Sequence, residues 1–336
     1  MKLKGKTWIT GLLTALTLAS VAQQQFASLP GFTTRAGKPI AACKQGYILL
    51  GRLNANRSNA ILIPSWFGGK SKDLIGLAST MIDTNKYVVI LADALGNGVS
   101  SSPSNTPNFP DITIHDMVQA EYELLTKTLG IRHLYTVMGF SMGGMQTFEW
   151  LASYPDFMDK ALPVVGTPIQ SGQDALLWET EWNIIEQAGK DTSARRKALA
   201  SVSSLHAMNL FTPAYWAVKE KPGDISALIK KDGENMVNTT NPENWICQIK
   251  AMLKQDIYSS SGKSPADFKS LIKAKILVVV ATQDHMVNPL TAITFAKENG
   301  TALLELTGDC GHMASTCEAE KLNTAVKNFL FASTSN

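Results

Sequence analysis

The stretch Gly139-Phe140-Ser141-Met142-Gly143 decides the fold of this 336-residue chain, because it lies between an apolar run and a segment with helical spacing. Residues 134 to 138 are typical of a buried strand, and residues 144 to 153 are typical of a helix. So tight a strand-to-helix turn brings backbone close to the two glycines, where a Cβ would collide, and it strains the serine between them. The sequence therefore predicts a serine whose hydroxyl stands exposed at the end of a strand.

Two downstream residues complete a pattern with this serine. Residues 275 to 282 form a strand-like apolar run that leads to Asp284, and residues 302 to 307 form another that leads to His312. Sites in open α/β sheets lie at the carboxyl ends of strands, and the order serine, aspartate, histidine is that of the α/β-hydrolase triad. We therefore predict Ser141 as nucleophile, His312 as its base and Asp284 as the residue that orients the base. Asp309 is the weaker candidate for the acid, because it belongs to the same loop as His312.

Strand-like and helical segments alternate through the first half of the chain. The predicted strands span residues 46–55, 60–64, 87–92, 134–138 and 161–166, the first two joined by a polar turn, and the predicted helices span residues 72–81, 114–129 and 144–153. Alternation with nearly continuous apolar strands favours a mostly parallel sheet with helices on both faces. The expected fold class is α/β, in the form of the α/β-hydrolase fold.

Residues 167 to 265 interrupt this alternation with polar-rich helical segments that carry four tryptophans. A block this long without strands must fold as a lid or subdomain. We predict a helical cap at residues 167–265, inserted before the strand that leads to Asp284. The catalytic domain then comprises residues 23–166 and 266–336.

The chain begins with three lysines (Lys2, Lys4, Lys6) before an apolar run, residues 8 to 21, that closes on Ser20-Val21-Ala22. This pattern predicts a cleaved signal peptide over residues 1–22 and a periplasmic or secreted protein. The alternative is a permanent membrane anchor, but the run is shorter than the roughly 20 residues that span a bilayer.

Charge and motif content limit the partners of the mature chain. Cleavage removes three lysines and no acidic residue, so the formal net charge falls from +3 to 0, which makes a nucleic-acid partner unexpected. The chain has no Cys/His cluster with metal-ligand spacing and no G-x-G-x-x-G after a strand, so we expect neither a metal nor a dinucleotide cofactor. His206 is assigned only a helix or turn position.

The four cysteines form an even set, as in many exported proteins. Cys310 and Cys317 bracket His312, and a disulfide between them would restrict the backbone of the histidine. Two unrelated buried thiols remain the alternative. Cys43 and Cys247 are the weaker candidates for a second pair.

Acyl transfer through a serine generates a negatively charged oxygen that needs backbone N–H donors already in place. Met142, the residue after the nucleophile, is expected to supply one donor. The loop at residues 65–69 is expected to supply the second, with Phe67 as first choice and Trp66 as alternative. The side chains of these two aromatic residues would line a pocket for small acyl groups, and His285 is a further candidate for its lining.

Three segments resemble the homoserine O-acetyltransferase family of α/β-hydrolase-fold proteins. They are residues 51–60 (GRLNANRSNA), residues 109–118 (FPDITIHDMV) and residues 139–150 (GFSMGGMQTFEW). The resemblance covers residues 46–166 and the chain from residue 274 onward. It implies the same triad, Ser141, Asp284 and His312, and a homodimer interface on the helical cap.

Two departures from that family concern the acceptor. The acetyltransferases carry a Tyr-Arg-Ser sequence in the cap, whereas residues 206–216 read HAMNLFTPAYW, and an aspartate follows their histidine where Met313 follows His312. Without these charges homoserine loses its partners, so water is the expected acceptor. The sequence thus predicts an exported serine esterase for small acyl esters that uses an acyl-enzyme. An acyltransferase is the first alternative, and a non-catalytic binding protein on the same fold is the second.

Overall fold

A computed structural model describes residues 22 to 331. The predicted signal peptide, residues 1 to 22, lies outside the described residues except for its last one. Among the described residues, no helix is long and apolar enough to cross a membrane.

One mixed sheet of eight strands forms the centre of the molecule, in the order β1-β2-β4-β3-β5-β6-β7-β8. The six strands β4-β3-β5-β6-β7-β8 are parallel to one another, whereas β2 is antiparallel to both β1 and β4. The predicted mostly parallel sheet is confirmed. The strands are β1 (Gln25–Ser28), β2 (Lys44–Leu50), β3 (Ala60–Pro64), β4 (Val88–Ala92), β5 (Leu134–Phe140), β6 (Met158–Val164), β7 (Lys275–Ala281) and β8 (Ala302–Leu306).

Thirteen helices of the described chain surround and extend this sheet. There are also two 3-10 turns, Ser71–Leu74 before α1 and Gly311–Met313 before α12, and α2 continues into a π-helical turn, Leu124–Thr128. The helices are α1 (Ile75–Met81), α2 (Ile114–Glu123), α3 (Met142–Ser153), α4 (Gly172–Glu186), α5 (Thr192–Leu210), α6 (Pro213–Lys219), α7 (Ile225–Thr239), α8 (Pro242–Leu253), α9 (Ile257–Ser261), α10 (Pro265–Phe268), α11 (Leu290–Asn299), α12 (Ala314–Cys317) and α13 (Ala319–Phe331).

The core has two halves, one on each face of the sheet. Along β3, Ile61 and Ile63 point to one face, and Ala60 and Leu62 point to the other, as the two-residue period of a strand requires. Helices α1 and α13 cover the first face, whereas α2, α3 and α11 cover the second. Near-continuous apolar strands are therefore buried on both sides.

The predicted strand at residues 46–55 is too long. Strand β2 ends at Leu50, because Gly51 has a positive φ of 82° and a Cβ there would lie 2.4 Å from the carbonyl oxygen of Tyr87. Strand β2 also does not form a hairpin with β3, since β4 lies between them. Strand β1, which extends the sheet beyond β2, was not predicted.

Helices α4 to α9 occupy most of the segment predicted as a cap. The two ends of this segment meet: Ile257 N–H donates to the Pro168 carbonyl (3.1 Å) and Gln170 N–H donates to that of Gln255 (3.2 Å). The segment therefore leaves the sheet after β6 and returns just before α10 and β7, the neighbouring strand. The homodimer through this segment stays a prediction.

Candidate active site

The turn between β5 and α3 has the geometry that its glycines predict. Ser141 has φ 56° and ψ −120°, a positive-φ conformation that L residues rarely adopt. A Cβ on Gly139 would lie 2.0 Å from the carbonyl oxygen of Gly143, and a Cβ on Gly143 would lie 2.7 Å from that of Pro64. Only glycine fits at either position, and the strained backbone holds the serine at the end of the strand.

Ser141, His312 and Asp284 form one continuous series of hydrogen bonds. The Ser141 hydroxyl donates to Nε2 of His312 (2.8 Å), and Nδ1–H of His312 donates to Oδ2 of Asp284 (2.6 Å). A carboxylate can only accept, so the proton of the neutral imidazole is on Nδ1 and Nε2 is free to accept the serine proton. Such a series can activate a serine hydroxyl as a nucleophile.

Asp284 is fixed by its own loop. Its Oδ1 accepts the N–H groups of Met286 and Val287, both at 2.9 Å, which leaves Oδ2 for the histidine. The next residue, Asn288, donates its N–H to Oδ1 of Asp174 at the start of α4 (2.7 Å). Burial raises the pKa of Asp174, and the N–H groups of Asn288 and Ser171 partly oppose this rise. The helical segment thus helps to position the loop that carries Asp284.

A short disulfide loop holds the backbone of His312. Cys310 and Cys317 are bonded, as predicted, with Cα atoms 6.4 Å apart and His312 between them. The carbonyl of the weaker acid candidate, Asp309, accepts the hydroxyl of Thr212. Its carboxylate is not the partner of His312, since Asp284 fills that place.

The pairing of Cys43 with Cys247 is wrong. Both are buried free thiols, and they lie on different elements: Cys43 just before β2 and Cys247 inside α8. Burial raises the pKa of each thiol to about 12. They are therefore inert apolar core residues.

A cavity of about 330 Å³ opens beside Ser141 and is mostly apolar. Trp66 and Phe67 line it. His285, the third predicted pocket residue, is exposed, and its neighbour Met286 lines the cavity instead. Val165, another lining residue, has φ 44°, which is strained for a β-branched residue. The complete lining is Trp66, Phe67, Leu77, Phe140, Ser141, Val165, His206, Leu210, Met286, His312, Met313, Ser315 and Thr316.

Backbone donors are available for an oxyanion beside Ser141. Met142 is the first residue of α3, where N–H groups lack an intrahelical acceptor. Within the described part of the chain, the N–H groups of Trp66 and Phe67 have no acceptor, whereas that of Gly68 donates to Oε1 of Gln248 (2.9 Å). The structure therefore leaves Phe67 and Trp66 as the two choices for the second donor.

Aromatic side chains from the helical segment hold the loop that carries Phe67. The Phe67 ring lies 4.0 Å from that of Trp245 and 5.5 Å from that of Trp178, measured between centroids. His206 lies 6.0 Å from the same ring and lines the cavity. Sequence reasoning missed His206 as a site residue, because a single histidine within a helix carries no motif.

Among residues 22 to 331, no group of three or more His, Cys, Asp or Glu residues is arranged to hold a metal ion. The chemistry that the site itself can perform is acid–base and nucleophilic, through Ser141 and His312.

Comparison with known proteins places these features in a family context. A family model described as alpha/beta hydrolase fold matches residues 61 to 316. The ethyl acetate hydrolase of Pseudomonas veronii is 32% identical over 270 residues, covering 74% of this chain and 77% of that protein. A homoserine O-acetyltransferase of Methanohalophilus mahii is 26% identical over 342 residues, covering 89% of this chain and 70% of that protein.

A solved structure shows the same likeness in three dimensions. The acetyl esterase MekB superposes with a TM-score of 0.83 at 27% identity, over 92% of this chain and 96% of that one. The predicted fold and the predicted resemblance are therefore confirmed. The similar proteins include both ester hydrolases and acetyltransferases, so the choice between water and another acceptor must come from the site.

Proposed function

The chain belongs to the α/β-hydrolase fold family, and from this membership we propose that it is a serine hydrolase that cleaves esters of small acyl groups. Its similarity to ester hydrolases and acetyltransferases makes it an enzyme of one of these two classes. The observation that carries the proposal is the hydrogen-bonded series Ser141, His312 and Asp284 at the wall of a mostly apolar cavity.

In the proposed reaction, Oγ of Ser141 attacks the ester carbonyl carbon while its proton passes to Nε2 of His312. Asp284 holds the imidazole and stabilises its cationic form. The N–H of Met142, with that of Phe67 or Trp66, stabilises the oxyanion. The C–O bond then breaks, and His312 returns the proton to the leaving alcohol. Water repeats the sequence on the acyl-enzyme and releases the acid.

The lining of the cavity favours water over homoserine as the acceptor. The thirteen residues that line the cavity all lie within the described part of the chain, and none of them is Lys, Arg, Asp or Glu. The carboxylate and ammonium groups of homoserine would each lose a charge-assisted hydrogen bond, worth roughly 1.5–3 kcal/mol. Met313, which follows His312, contributes an apolar wall instead. A small uncharged ester fits this cavity better.

We also propose that residues 1 to 22 are a cleaved signal peptide and that the protein works in the periplasm or outside the cell. The Cys310–Cys317 disulfide supports this location, since such bonds persist in oxidising compartments. The intact mass of protein recovered from the periplasm or the medium tests it. A mass that includes residues 1 to 22 would contradict the proposal.

Steady-state hydrolysis of p-nitrophenyl acetate tests the proposed function, with homoserine added as a competing acceptor. Ser141→Ala is expected to abolish turnover. Ser153→Ala is a matched control, because Ser153 also hydrogen-bonds a histidine and a carboxylate, His115 and Glu149, but does not line the cavity. Faster release of p-nitrophenol with formation of O-acetylhomoserine would instead establish an acetyltransferase.

A further inference from the structure

A second histidine–carboxylate pair lies at the same cavity. Nδ1–H of His206, on α5, donates to Oε1 of Glu181, on α4, at 2.9 Å. Glu181 is completely buried, and its other oxygen accepts Nε1–H of Trp245 at 3.1 Å. A buried carboxylate is costly unless it is hydrogen-bonded, and here both oxygens have partners.

The pair leaves one nitrogen of His206 uncommitted. Because the carboxylate of Glu181 only accepts, the proton of the neutral imidazole lies on Nδ1, and Nε2 carries a lone pair. Within residues 22 to 331, this Nε2 has no hydrogen-bond partner, and 22% of the side chain is exposed. His206 lines the cavity beside Ser141 and also borders an adjoining cavity that Asp232 and Asn235 help to line. It therefore offers a hydrogen-bond acceptor to a bound molecule.

The surrounding rings hold this imidazole in place. The Trp245 ring meets it edge to face at 5.4 Å, and Phe67 and Trp178 lie at 6.0 Å and 6.4 Å. Trp245 also anchors Glu181, so a single side chain supports both members of the pair. A group that is oriented before binding loses little entropy when the ligand arrives.

The rest of the lining gives this acceptor its significance. Eight of the thirteen lining residues are apolar, Ser141 and His312 are bonded to each other, and the hydroxyls of Ser315 and Thr316 are the remaining polar side-chain groups. An acceptor in such surroundings selects a ligand with a donor, because a ligand without one leaves a polar atom unpaired.

We propose that Nε2 of His206 accepts a hydrogen bond from a hydroxyl group of the substrate. This inference rests on the proposed ester hydrolysis and names its substrate class: an ester that carries a free hydroxyl near the ester bond. The hydroxyl belongs either to the alcohol part, as in the monoester of a diol or polyol, or to a hydroxyacyl part.

Pairs of isosteric substrates test the inference. On the alcohol side, kcat/KM for 2-hydroxyethyl acetate is compared with that for propyl acetate. On the acyl side, methyl glycolate is compared with methyl propanoate. Each ratio is measured in the purified full chain, in His206→Leu, and in His133→Leu, a control at an exposed histidine that is bonded to Asp159. Comparing ratios between variants cancels the intrinsic reactivity of the esters and any loss of folded protein.

We expect His206→Leu to lower one of the two ratios about tenfold, the effect of one hydrogen bond, and His133→Leu to leave both unchanged. The pair that responds identifies the side that carries the hydroxyl. Two unchanged ratios in His206→Leu, or equal losses in both variants, would overturn the inference while the proposed function stands. If the full chain hydrolyses none of the four esters, the proposed function itself fails.

Glu181→Gln tests the same inference by changing which substrate the site prefers, an effect that a purely structural role of His206 would not produce. This variant replaces His206→Leu if that variant does not fold. The oxygen of the new amide must accept Nε1–H of Trp245, so the amide NH₂ faces Nδ1 of His206 and places the proton of the imidazole on Nε2. An ether oxygen can only accept a hydrogen bond, so the variant is expected to gain kcat/KM by about threefold or more for one of two ethers: 2-methoxyethyl acetate relative to butyl acetate, or methyl methoxyacetate relative to methyl butanoate. Two unchanged ratios in Glu181→Gln would contradict the assigned acceptor.

Discussion

Two histidine–carboxylate pairs lie at one cavity, and they differ in what occupies the second nitrogen of the imidazole. In the pair His312–Asp284, both residues follow strands, and Nε2 meets the hydroxyl of Ser141. In the pair His206–Glu181, both residues lie on helices, and Nε2 has no partner among the described residues. A carboxylate fixes the tautomer in each case. The neighbour of the other nitrogen therefore decides whether the histidine moves a proton or binds a ligand.

Amide substitutions of the two carboxylates should separate these roles most strongly. Asp284→Asn places an NH₂ group against Nδ1 of His312 and favours the wrong tautomer, which should lower kcat for p-nitrophenyl acetate roughly 10⁴-fold. The analogous change Glu181→Gln acts on a histidine that moves no proton, so its effect on the same kcat should be less than about tenfold. Equal losses in the two variants would contradict the division of roles.

A third buried carboxylate shows what happens without a histidine. Glu121, on α2, is fully buried. Its Oε2 accepts Nε1–H of Trp150 at 2.8 Å, and its Oε1 has no partner among residues 22 to 331. Burial raises the pKa of Glu121 from 4.5 to about 8, although the Trp150 hydrogen bond opposes this rise. Between pH 4.5 and 8 the folded state therefore holds a proton that the unfolded state has released.

This difference makes folding stability fall as the pH rises through that window. At pH 9 the buried charge should cost about 4–5 kcal/mol of unfolding free energy. Glu121→Gln should remove that decline, as denaturant unfolding at pH 5 and pH 9 would show. Glu234→Gln, at an exposed carboxylate, is the control. A decline of the same size in Glu121→Gln would assign it to another group.

The two histidines also differ in how their backbones are held. His206 belongs to a helix of 19 residues, whereas His312 lies in a three-residue turn closed by the Cys310–Cys317 disulfide. Replacing both cysteines with serine should lower the free energy of unfolding by roughly 2–3 kcal/mol. It should also lower kcat, because the disulfide no longer holds the backbone of His312. Reduction of the unmodified protein should reproduce the loss, and reduction of the double variant should add nothing. Unaltered kcat in the folded double variant would show that the turn holds His312 by itself.

There is a physical reason why the sequence predicted most of the sheet and the three residues that the structure joins by hydrogen bonds, Ser141, His312 and Asp284. Buried parallel strands are nearly continuous apolar runs. Ser141 stands directly after such a run, whereas Asp284 and His312 lie in the loops that follow two others. The glycines beside Ser141 report a close backbone approach that only a residue without a Cβ tolerates. These signals are local, so they can be read without the three-dimensional structure.

Other features depend on contacts between distant segments, and these features were either not predicted from the sequence or predicted wrongly. The end of β2 depends on the approach of Tyr87 to Gly51, and β1 is an edge strand of four residues. His206 acquires its role only because Glu181 and Trp245 lie beside it. His285 follows Asp284 in sequence but is exposed and does not line the cavity, since neighbouring side chains in an irregular loop need not share a side.

The most direct test of the central claim is to quench the reaction of the purified protein with p-nitrophenyl acetate and map any acetyl group by mass spectrometry. We predict one acetyl group on the peptide that contains Ser141, and none in Ser141→Ala. An acetyl group on another residue, with hydrolysis that persists in Ser141→Ala, would contradict the account.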